Sequence, residues 1–158
     1  MRTVLALLIA LSLGGAQSTA AQASRLTPEQ RDAILGYSLT LDRANHLITA
    51  MTAVTQYLTS QPDWQQRLKQ NATLTGAEQA ARMEKDPTIS GILKKNGLTA
   101  REYLVGVPTL RMALMTAQGL TSPNIVASPA NVAFAKANLA ELKPKMEQAD
   151  LGGLGRGR

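Results

Sequence analysis

The stretch TAREYLVGVPTLRMALMTAQG, residues 99–119, decides how the chain is read. Thr99 and Glu102 stand three apart, the spacing of a capping box. The threonine hydroxyl accepts the amide at the third helical position while the glutamate reaches back to the amide of the cap. Behind that start, Tyr103, Leu104, Val107, Leu110, Met112, Leu114 and Met115 recur at helical spacings up to Gly119, a residue suited to ending a helix. Pro108 sits inside. It removes one backbone donor, so a kink is expected near Leu104. This helix carries more apolar surface than one buried stripe needs. Tyr103, Leu104, Val107, Leu110, Met112 and Met115 are therefore the candidate binding face, buried on two sides, self-associating, or lining a cavity that Gly106 and Pro108 open between helices.

Working outward, the same punctuation repeats. Asp86-Pro87 starts a short helix that gathers Ile89, Ile92 and Leu93 and stops at Asn96-Gly97. Thr75 with Glu78 is a second capping box, opening a segment to about Glu84. Pro62 to Gln70 reads as a short helix with Trp64 and Leu68 on one side. Thr27-Pro28-Glu29-Gln30 combines a cap, a first-turn proline and a returning glutamine. The helix it opens is expected to run to about Ser60, with Ile34, Tyr37, Leu41, Ala44, Ile48, Met51 and Leu58 on one face. On the C-terminal side, Ser128-Pro129 starts a last helix running to about Ala149, with Pro144 bending its final turns.

No segment alternates apolar and polar residues long enough to be a strand. The expectation is an all-α fold: a small irregular helical bundle over residues 24–150, of three longer helices plus two or three short ones. The Gly/Arg tail, 151–158, is too poor in large apolar side chains to stay ordered by burial.

The start of the chain has a different character. Met1, Arg2 and Thr3 precede an apolar run from Val4 to Leu13, and Ala21-Gln22-Ala23 places small residues at both positions before a cut. Residues 1–23 read as a signal peptide cleaved after Ala23. Ten apolar residues span only about 15 Å as a helix, half the thickness of a bilayer core. The mature chain is then periplasmic or secreted, with no transmembrane span.

The chain of 158 residues carries 17 Lys and Arg against 11 Asp and Glu, one His and no Cys. Without cysteine there is no disulfide framework, thiolate zinc site, iron-sulfur cluster or thiol nucleophile. His46 is the sole histidine, which removes paired-histidine metal sites and leaves only a mixed arrangement. A haem held between His46 and a methionine such as Met51, Met112, Met115 or Met146 is the form that could take, against the plainer reading of a surface histidine. No nucleophile elbow, serine-lysine motif or phosphate loop is present, and Glu29, Asp86 and Glu102 are accounted for as helix-start charges. No catalytic residue, metal site or resident cofactor is expected. The positive charge is thinly spread and no nucleic-acid partner is expected. The function this leaves is non-catalytic: an exported binding or accessory protein of a bacterial envelope, adaptor or chaperone-like, with an envelope protein as partner. The alternative is a carrier of a small apolar ligand or haem.

Overall fold

The computed structural model describes residues 26–120 and 122–152, and the described residues form eight helices and no strand. They are α1 (Pro28–Gly36), α2 (Leu41–Ser60), α3 (Trp64–Asn71), α4 (Gly76–Lys85), α5 (Pro87–Lys95), α6 (Ala100–Ala117), α7 (Pro129–Ala137) and α8 (Leu139–Gly152). The expected signal peptide, residues 1–23, and the tail beyond 152 lie outside the described residues. No described helix is long and apolar enough to cross a membrane.

Local chemistry sets most of the boundaries. Thr27, Thr75 and Thr99 each form a complete capping box, with Gln30, Glu78 and Glu102 returning to the cap amide. Asp86 closes α4 and caps α5, its carboxylate accepting the amides of Thr88 and Ile89. Gly97 and Gly119 take the left-handed conformation, φ 64° and φ 80°, that ends α5 and α6.

Two expected helices are broken in the structure. The helix read as running from Pro28 to about Ser60 stops at Gly36 and restarts after Thr40. Tyr37 is extended, and Thr40 caps α2 by accepting the amide of Arg43. The backbone groups freed between them are taken up by a distant side chain, described below. The helix read from Pro129 to about Ala149 is likewise split at Asn138. Its carboxamide donates back to the carbonyl of Phe134 at 2.8 Å while its own carbonyl starts α8. Pro144 lies within α8, and Pro108 within α6, without ending either helix.

α2 and α6 are the central pair. α8, α5 and α3 pack on α2, while α7, α4 and α1 pack on α6. The core between them is aliphatic: Leu47, Met51, Leu93, Leu110 and Leu142 are its largest fully buried members. Where α2 and α6 meet, Gly106 allows the approach. A methyl group there would lie 2.8 Å from both terminal carbons of Leu47 and 2.9 Å from the Tyr37 hydroxyl. α2 tolerates its threonines because Thr49, Thr52 and Thr59 donate to carbonyls one turn back.

Candidate functional site

The six residues of the expected binding face divide into two lines on α6. Tyr103, Val107 and Leu110, spaced four and three apart, turn inward: Leu110 is fully buried and the other two pack on the core. Leu104, Met112 and Met115 are half-buried and lie outside that core. The first line is structural packing. The second leaves apolar surface on the helix, in the form of one leucine and two flexible, polarizable thioethers.

Arg111 lies between the two lines and bridges three helices. Its Nη2 donates to Asp150 Oδ1 of α8 at 2.6 Å and reaches Met51 Sδ of α2 at 3.8 Å, and its Nε is buried without a partner. Burial pushes the Asp150 carboxyl above the ordinary aspartate range, and Arg111 only partly opposes that. Desolvation also pushes the half-buried Tyr103 phenol above the ordinary tyrosine range, with Arg111 pulling the other way. A charge in the middle of an otherwise apolar helix stretch was the sequence signal for this pair, and it was missed.

A second cluster joins the ends of α1, α2 and α6. The Arg43 guanidinium sits 5.9 Å from the centroid of the Tyr37 ring and pairs with Glu102 at 2.5 Å. The Glu102 carboxyl is held below the usual glutamate range, first by the Thr99 amide and then by Arg43.

His46 is exposed on α2, whereas Met51 and Met146 are buried in the core. The structure does not bring the histidine and those methionines onto one surface. Among the described residues no group of three metal-ligating side chains converges.

A surface recess of about 520 Å³ opens at the start of α3, lined by Pro62, Asp63, Trp64, Gln65, Gln66 and Lys69. It includes neither His46 nor any of the six α6 residues. Asp63 within it is paired with Arg67 at 2.8 Å. Sequence reading placed Trp64 with Leu68 on one side of a short helix and gave the amides beside it no role.

No family profile matches the chain, and no curated protein and no solved structure is similar to it.

Proposed function

We propose that the chain is an exported, non-catalytic binding or accessory protein of a bacterial cell envelope, acting as an adaptor or chaperone-like module. The observation that carries this is the outer line of α6. Leu104, Met112 and Met115 are only half-buried beside a core already closed by Leu110, Ala113 and Leu114. Methionine suits such a role because its unbranched, polarizable side chain adapts to differently shaped apolar partners. Export rests on the basic start, the apolar run Val4–Leu13 and the Ala21-Gln22-Ala23 cut site. An envelope protein is the partner proposed.

The test is site-specific crosslinking from position 112 or 115 in the native envelope, followed by titration of the captured partner against purified mature chain. The expected result is a saturable stoichiometric complex that Met115→Lys weakens while the helical content of the chain is kept. Recovery of monomer alone, or a complex indifferent to Met115→Lys, would overturn it. A small apolar molecule or haem retained in native mass spectrometry would move the function to the carrier alternative.

A further inference from the structure

The chain holds one tryptophan, and it is not used in the core. Trp64 opens α3, a helix with no fully buried residue whose sequence, WQQRLKQN, is otherwise mostly polar. There it forms a wall of the recess, beside Pro62 and a rim of hydrogen-bonding heads. Asp63 is engaged by Arg67. The side chains of Gln65, Gln66 and Lys69 are exposed and make no hydrogen bond among the described residues.

We infer that this recess is a binding site for a short oligosaccharide. An indole is a flat apolar surface with a polar edge, and a sugar ring offers a face of C–H groups to lie against it and a rim of hydroxyls around it. Each hydroxyl both donates and accepts, as does each carboxamide of Gln65 and Gln66, so the two sets of groups match. Asp63 is paired with Arg67, which leaves the Lys69 ammonium, among the described residues, as the free charge on the rim, so neutral and acidic sugars are both admitted. A volume of about 520 Å³ lies within the usual range for small-molecule sites. A lipid surface fits less well. It would need an apolar helix face turned outward, whereas Trp64 and Leu68 are half-buried and the exposed positions of α3 are Gln65, Gln66, Lys69 and Gln70.

The single tryptophan makes the site its own reporter. The mature chain is titrated with chitotetraose and, separately, maltotetraose at millimolar concentrations, following tryptophan emission with calorimetry alongside. The expected result is saturable binding of at least one sugar, seen as an emission shift or as heat. The doubly substituted Gln65→Ala, Gln66→Ala chain is expected to keep its helical circular dichroism and bind about fivefold more weakly for each amide removed. Acetamido preference, shown by chitotetraose binding more tightly, would refine the ligand class. No emission change and no heat with either sugar overturns the inference, as does unaltered affinity in the doubly substituted chain. An emission shift with phosphatidylglycerol vesicles and none with sugar overturns it in favour of a membrane surface. The recess shares no residue with the outer line of α6, so failure of either reading leaves the other standing.

Discussion

The carboxamide of Asn131 on α7 is bonded to the backbone on both sides of Ser38. Its Oδ1 accepts the amide of Leu39 at 3.1 Å and its Nδ2 donates to the carbonyl of Tyr37 at 2.7 Å. A side chain more than ninety positions away thus supplies what a neighbouring strand would, and it holds open the break between α1 and α2. Asn131 is itself buried and caps nothing. Asn131→Ala leaves two backbone groups without partners at the cost of about 1–3 kcal/mol each, so a total loss of roughly 2–6 kcal/mol is expected in urea unfolding. A loss under about 1 kcal/mol would mean that water replaces the carboxamide and that the break does not depend on it.

Glycines 91 and 106 are both helical, and alanine should act on them in opposite directions. At Gly91, exposed on α5, an added methyl meets nothing within 4 Å. Gly91→Ala is expected to stabilise by about 0.5–1 kcal/mol through the narrower unfolded ensemble. At Gly106 the same methyl runs into Leu47, which is fully buried and has no room to retreat, and into Tyr37. Overpacking costs of about 1–3 kcal/mol outweigh the helix-propensity gain of about 1 kcal/mol. Thermal melts of the two variants should move apart from the parent on opposite sides. Gly106→Ala melting at or above the parent would show that α2 and α6 can separate freely.

What the sequence disclosed followed from the range of the interactions involved. Capping boxes at Thr27, Thr75 and Thr99, and the glycine stops at Gly97 and Gly119, act within four residues, so the pattern and the structure agree there. The two breaks do not work that way. Ile34, Tyr37 and Leu41 keep helical spacing straight across 37–40, and only Asn131, brought close by tertiary packing, makes the extended path cheaper than a continuous helix. At Asn138 the signal was local but ambiguous, since asparagine is tolerated within a helix as well as at its end. The α6 face was legible as an excess of apolar residues. Its division into an inward line ending at Leu110 and an outward line ending at Met115 required knowing where α2 lies.

The Arg111–Asp150 pair tests whether a partly buried charge is kept for stability. Arg111→Met alone strands the Asp150 carboxyl, already raised by burial, and is expected to destabilise the chain by about 1–3 kcal/mol. Arg111→Met with Asp150→Leu removes both charges and the buried, unpartnered Nε together. The double variant should be as stable as the parent or more so. Chemical denaturation of the single and double variants measures the coupling. A double variant less stable than either single variant would show that the pair holds α6 and α8 together by more than its charge.

Glu102 and Asp150 should contribute to stability with opposite dependence on pH. The Glu102 carboxyl is held low by the Thr99 amide and Arg43, so its contribution is present above the ordinary glutamate range and is lost as pH falls through its folded value. Asp150 is raised, first by burial, with Arg111 lowering it and nearby Glu147 adding to the rise. Its protonated form is therefore favoured by folding. That contribution is present below the ordinary aspartate range and is lost as pH rises through the folded value. Glu102→Gln is expected to destabilise most at neutral pH and least in acid. Asp150→Asn, close in shape to the protonated acid, should gain on the parent as pH rises from the ordinary aspartate range towards neutrality. Urea midpoints of both variants and the parent across that range check the signs. An Asp150→Asn curve that falls further behind the parent with rising pH would mean that Arg111 outweighs burial at this site.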